Sequence, residues 1–361
     1  MARSECRPHC YHTCLLVSKC FGRASASGRR RWSSSPPKRS EPVPIFDWPL
    51  ETLRAYKPAL TRQPDFTAFW SETLAAASEI PLDPQIEPTE YPADGLTIAR
   101  ASYSGWDGAR VQCWYLRPAA PGIYPGIVFY HGYSGNRGSI YDFLGWASQG
   151  YAVLTVDCRG QNGDTSDPTV YPSGHSTGWM TLGITSRDSY YYRGVFVDCV
   201  RALDFMESRP EIDRARIGVT GISQGGGLTL AVAGLDRRPR VAMSDVPFLC
   251  NYPRALDVTD QRPYNELIDY LRSHPGQDES VFRTLSYFDV MNLAPNIACP
   301  TLVSVGLLDM ICPPSTVFSA YNHIDGTKVE KEIRVYSFGV HAVVGAQWEE
   351  KLRWARRYLK R

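Results

Sequence analysis

Six short runs, GIVFYH, YAVLTVD, RIGVTG, RVAMSDV, TLVSVG and EIRVYSFG, punctuate the chain from residue 126 onward, each almost continuously apolar and rich in β-branched residues. A strand that is apolar on both faces must be covered on both faces, the condition of a parallel strand inside a layered sheet. Amphipathic segments lie between several of the runs. The one at about Ser189 to Ser208 carries Val195, Cys199, Val200, Leu203 and Met206 on a single stripe. Alternating β and α elements predict an α/β fold built on a doubly wound, mostly parallel sheet. No repeat of fixed period is present. With 361 residues, 43% of them hydrophobic and 21% charged, the chain is long enough to bury such a core.

The segments around this series predict three additions. The globular part is expected to begin near Pro44, after the polar, proline-bearing stretch SSSPPKRSEPVP, giving a basic tail over 1–43 and one domain over 44–361. A helix is expected at about Asp65 to Ser78, where Phe66, Phe69, Trp70, Leu74 and Ala77 recur at helical spacing behind Asp65 as N-cap. ARASYS and ARVQCWYL alternate around Gly105-Trp106-Asp107-Gly108, which reads as an antiparallel hairpin closed by a tight primed Asp-Gly turn. From about Phe248 to Asn296 the alternation stops, and NELIDYLRS and SVFRTLSYF read as short helices. An insertion there, above the carboxyl ends of strands, is expected to act as a partial lid on the ligand crevice.

Charge and cysteine usage narrow the class. Residues 1–40 hold nine Lys/Arg and one Glu, so the net charge of +2 leaves the remainder at −6, an unsuitable surface for nucleic acid. No apolar run is long enough to span a membrane, and the longest in the tail, Leu15-Leu16-Val17, is too short for a secretory signal. The Arg- and Ser-rich leader reads as a transit peptide, a disordered extension or a misassigned start. Cys6, His9, Cys10, His12 and Cys14 lack the paired spacing of a zinc knuckle. Cys113, Cys158, Cys199, Cys250, Cys299 and Cys312 are scattered through apolar segments, as expected of buried reduced thiols in the cytoplasm.

Two stretches match G-x-S-x-G: Gly174-His175-Ser176-Thr177-Gly178 and Gly221-Ile222-Ser223-Gln224-Gly225. This pattern marks the nucleophile elbow of α/β-hydrolases, which needs a strand leading in and a helix leading out. Only Ser223 has both, between RIGVT and QGGGLTLAVAGL; Ser176 is expected in a loop. A serine hydroxyl needs a base, and the base needs a carboxylate to hold its tautomer. In chain order these follow the serine, and His341, after the last apolar run, is the expected base, whereas His323 is expected to cap the end of a helix. Asp309, after TLVSVGLL, is the expected acid, with Asp245 as its competitor. The amides of Gln224 and of Tyr133, in the glycine-rich loop His131-Gly132-Tyr133-Ser134-Gly135, are the expected oxyanion donors, and His131 is expected to support the loop.

HGYSGNRG at 131–138, Arg159-Gly160-Gln161, GISQGG at 221–226 and LLDMICPPSTVFSAYN at 307–322, with FDWPLETLRAYKP and DFTAFWSETL further upstream, resemble the acetyl xylan esterase / cephalosporin-C deacetylase family of α/β-hydrolases (carbohydrate esterase family 7) from about Pro44 to the C-terminus. The resemblance implies a triad of Ser223, Asp309 and His341, an oxyanion hole of Tyr133 and Gln224, structural support from the RGQ residues, and a homo-oligomer, commonly a hexamer. It also implies an esterase that deacetylates short xylo-oligosaccharides and compounds such as cephalosporin C. The family usually places glutamate after its histidine; this chain has Ala342.

The expected reaction is acyl transfer from small acetylated carbohydrates with no cofactor, no metal, no nucleic acid and no membrane partner. Tyr133, Tyr252 and Tyr264 are expected to line the pocket and favour short acyl chains. A peptidase-like hydrolase and a non-catalytic binding protein on the same scaffold are the competing readings.

Overall fold

A computed structural model describes residues 46–171 and 174–360. The expected domain start at Pro44 and the cysteines and histidines of the tail lie outside the described residues. Among the described residues nine strands form one sheet: β1 (Gln85–Pro88), β2 (Leu96–Ser104), β3 (Arg110–Pro118), β4 (Tyr124–Tyr130), β5 (Ala152–Val156), β6 (Ile212–Ile222), β7 (Val241–Asp245), β8 (Thr301–Gly306) and β9 (Lys331–Tyr336). Their spatial order is β1-β2-β3-β5-β4-β6-β7-β8-β9. The six apolar runs supply β4 to β9, all parallel, while β1, β2 and β3 run antiparallel at one end.

Side-chain alternation divides the core. Val128 and Tyr130 of β4 and Leu154 and Val156 of β5 face the larger cluster, where the helices Tyr191–Glu207 and Gln224–Leu235 bury Phe196, Leu203, Leu228 and Val232. Ile127, Phe129 and Val153 face the other side, against Trp146 and against Trp354, Ala355 and Leu359 of the C-terminal helix Gly345–Leu359. Both faces are covered, as continuously apolar strands require.

The hairpin turn is as read: Asp107 and Gly108 have φ of 49° and 78°, and the Ala109 N–H donates to the Trp106 carbonyl at 3.0 Å. Two details differ. The four residues of β1, largely exposed and ending in proline, show no alternation by which the sequence could announce them. The helix Phe66–Ser78 begins behind Asp65, but the Asp65 carboxylate makes no cap and instead pairs with Arg187 and the Tyr287 hydroxyl. A side-chain cation and a phenol outcompete the helix amides for it, and they hold its pKa below the ordinary aspartate value, the Tyr287 hydrogen bond first.

The chain between β7 and β8 folds as helices Tyr252–Val258, Asn265–Ser273, Asp278–Ser286 and Val290–Leu293. All six cysteines of the described chain are buried and unbridged, and among the described residues no helix is long and apolar enough to cross a membrane.

Candidate active site

From β4 the chain moves to β5 on one side, whereas β6 lies on the other, so the sheet order reverses between β4 and β6. Ligand crevices form at such switch points, beyond the carboxyl ends of the strands. The loop carrying Tyr133 leaves β4 there, and Ser223 directly follows β6.

Ser223 has φ 59° and ψ −118°, a strained conformation for a residue with a Cβ. It is held by its surroundings: the Ser223 N–H donates to the Asp245 carbonyl, and the Ser223 carbonyl accepts from Gly227 and Phe248, each at 2.9 Å. The turn is so tight that a Cβ on Gly225 would sit 1.9 Å from the Tyr130 carbonyl oxygen. Gly225→Ala is therefore expected to destabilise the fold by about 1–3 kcal/mol or more, as overpacking does. Urea unfolding reads this, and a variant as stable as the parent would contradict the geometry.

Asp309 is fully buried beyond the end of β8. Its Oδ1 accepts the Ile311 and Cys312 amides, both at 2.9 Å, and its Oδ2 lies 2.8 Å from His341 Nδ1. His341 follows β9 and is partly exposed. Ser223, His341 and Tyr133 line one cavity of about 720 Å³. Among the described residues the Ser223 hydroxyl makes no hydrogen bond to His341; it lies beside the Cys312 thiol, whose pKa burial drives well up. A resting nucleophile–base contact is often loose until substrate arrives.

The amides of Tyr133 and Gln224 donate to no acceptor among the described residues. Gln224 opens the helix that follows Ser223, where a first-turn amide has no helical partner and points out with the positive end of the dipole. Gln161 ties the two donor loops together. Its Oε1 accepts the Ser134 amide at 2.9 Å, and its Nε2 donates to Gln224 Oε1 at 2.9 Å. Next to it, fully buried Arg159 forms a two-pronged ion pair with Asp198, at 2.7 Å on each side, the strut expected from the sequence.

His131 Nε2 lies 2.9 Å from the Cys158 amide, which can only donate, so its Nδ1–H donates to the Gly132 carbonyl at 2.7 Å. This is the supporting position expected for it. Asp245 is engaged elsewhere: it accepts Ser304 Oγ, Gln347 Nε2 and Lys351 Nζ at 2.8, 2.7 and 2.7 Å. His323 ends the helix Pro314–His323 and bonds the Pro58 carbonyl, away from the cavity. Ser176 lies in a loop, as expected, with its neighbours His175, Thr177 and Gly178 in the cavity wall.

The expectation for Tyr252 and Tyr264 is overturned. Both are fully buried and outside the lining of the cavity; the Tyr264 ring packs 4.5 Å from Phe248 and its hydroxyl bonds the Cys250 backbone. The insertion turns these aromatics into the core and presents Arg262, Pro263 and Glu266 instead. Glu266 escaped the sequence reading: it is buried, and its Oε2 accepts the Tyr133 hydroxyl at 2.7 Å. Burial raises its pKa.

The family model for acetyl xylan esterase (AXE1) matches residues 43–358. The chain belongs to this family. Acetyl esterase family members are carboxylic ester hydrolases, and the fold here is that of the α/β-hydrolases. The acetyl xylan esterase of Paenibacillus sp. R4 is 45% identical with a TM-score of 0.84, over 86% of this chain and 100% of that one. Acetyl xylan esterase 1 of Thermoanaerobacterium sp. JW/SL YS485 is 33% identical with a TM-score of 0.83, over 87% and 99%. Acetyl esterase Axe7A of Xylanibacter ruminicola is 28% identical over 75% of this chain, which spans 62% of that relative's length. An acylaminoacyl peptidase of Pyrococcus horikoshii, at 20% identity and a TM-score of 0.56, shares the fold.

Proposed function

We propose that this chain is a serine esterase that removes acetyl groups from acetylated xylo-oligosaccharides and from small acetylated compounds such as cephalosporin C. The observation that carries the reading is the meeting, in one cavity, of an elbow serine with a histidine anchored to a buried carboxylate. Ser223 Oγ attacks the acetyl carbonyl while His341 Nε2 takes its proton, and Asp309 fixes the Nδ1–H tautomer. The developing oxyanion is received by the Tyr133 and Gln224 amides. His341 returns the proton to the sugar oxygen as the C–O bond breaks, leaving acetyl-Ser223. Water then attacks the acetyl carbonyl as His341 takes its proton, and His341 passes that proton to Ser223 Oγ as the acyl bond breaks and acetate leaves.

Among the described residues six buried free thiols favour a reducing compartment, and we assign the chain to the cytoplasm on that ground. Self-association belongs to the same reading. Trp348 and Leu352 on the C-terminal helix, Val344 at its N-cap, and Phe338 and Val340 before His341 are large apolar side chains left exposed, the kind of surface that another subunit covers.

The test is acetate release from acetylated xylobiose under initial-rate conditions. Saturable, enzyme-proportional release of acetate is expected. Turnover of peptide amides with inert sugar acetates would overturn the proposal.

A further inference from the structure

Glu266 lies on the helix Asn265–Ser273 of the insertion, 2% exposed, in the wall of the cavity that holds Ser223 and His341. Its two oxygens are used unequally. Oε2 accepts the Tyr133 hydroxyl at 2.7 Å and the Met180 amide at 3.1 Å, and the Tyr133 hydroxyl in turn accepts the Trp179 amide at 2.7 Å. Oε1 accepts nothing among the described residues. The carboxylate is pressed against Gly178, φ +117°, where an added Cβ would lie 2.1 Å from both oxygens, so no side chain at that position can supply the missing donor. Oε1 therefore meets the cavity with no protein donor of its own among the described residues, open to a ligand hydroxyl, and a hydrogen bond to a charged group is a strong one.

We infer that Glu266 Oε1 accepts a hydroxyl of the sugar that carries the acetate, while Oε2 holds the Tyr133 side chain and through it the oxyanion loop. This rests on the deacetylation proposed above and adds to it a recognition element for the alcohol half of the substrate. The acyl half is handled at Ser223, Tyr133 and Gln224; the polyol half meets the insertion. One carboxylate serves both halves, each through a different oxygen.

The experiment compares two acetyl esters that differ in the alcohol: acetylated xylobiose, rich in hydroxyl donors, and p-nitrophenyl acetate, which has none. Glu266→Gln keeps the shape and removes the charge. Its kcat/KM on the sugar ester is expected to fall by roughly tenfold or more, mainly through KM, since hydrogen bonds to charged groups are the strong ones. On p-nitrophenyl acetate the loss is expected to be only about threefold, in kcat, from the loosened Tyr133 tether. Tyr133→Phe cuts the tether and leaves Oε1 untouched, so it is expected to lower kcat on both esters by one common factor. Equal losses on the two esters in Glu266→Gln, or a preferential loss on the sugar ester in Tyr133→Phe, would overturn the inference. Ser223→Ala, run in parallel, separates the two readings: if it still hydrolyses both esters, the deacetylation mechanism fails, whatever Glu266 does.

Discussion

Replacing Ser223 by alanine is expected to lower acetate release by at least about 10⁴-fold while the chain still folds and still binds acetylated xylobiose. In the proposed mechanism this hydroxyl carries the acetyl, and in serine hydrolases removal of any member of the trio costs several orders of magnitude in kcat. Binding survives because alanine at 223 removes an oxygen and adds nothing to a cavity of about 720 Å³. Asp309→Asn is expected to cost about 10⁴ in kcat, because an amide facing His341 Nδ1 no longer fixes the Nδ1–H tautomer. Initial rates of acetate release, with calorimetric binding of the ester to Ser223→Ala, check both. Turnover of Ser223→Ala within tenfold of the parent would refute the nucleophile.

Lys351→Met is expected to destabilise the fold by about 3–5 kcal/mol. Lys351 and Asp245 are both fully buried and joined at 2.7 Å. Asp245 also takes Gln347 and Ser304 as donors, so three groups converge on its carboxylate beneath the elbow. Removing only the cation leaves an uncompensated buried charge, the costly half of any buried ion pair. Asp245→Leu in the same chain removes the stranded charge and is expected to recover much of the loss, because replacing both partners of such a pair by apolar groups is often close to neutral. Urea denaturation midpoints at constant slope measure the effect. A Lys351→Met variant within 1 kcal/mol of the parent would show that water reaches the pair.

The same pair explains how Asp245 and Asp309 separate. In sequence each is an aspartate at or just past the end of an apolar run, and nothing local distinguishes them. The distinction is made by what packs against them: the C-terminal helix brings Lys351 and Gln347 onto Asp245, while β9 delivers His341 to Asp309. The parallel strands were legible because burial on both faces leaves a continuous apolar signature, and the elbow because its strand and helix are adjacent in the chain. The insertion was legible as helices and illegible as to facing. Tyr252 and Tyr264 are aromatic and near the crevice, yet the core claims them, whereas Glu266, a charged residue on an amphipathic helix, reads as a solvated face. Only the fold brings it to Tyr133, 133 residues earlier.

The serine and the oxyanion amides stand on β6 and β4, in the middle of the sheet, with neighbours on both sides. The histidine hangs from β9, the last strand of the order, where every residue is only half-buried and the turn that follows exposes Phe338 and Val340. The proposed proton shuttle thus rides on an edge rung of the sheet, and the proposed attacking group on a central one. Warming or mild denaturant loosens a rim before a centre, so in the proposed mechanism catalysis goes silent while most of the protein still stands. Resistance to heat in such an enzyme is decided by whatever braces that rim.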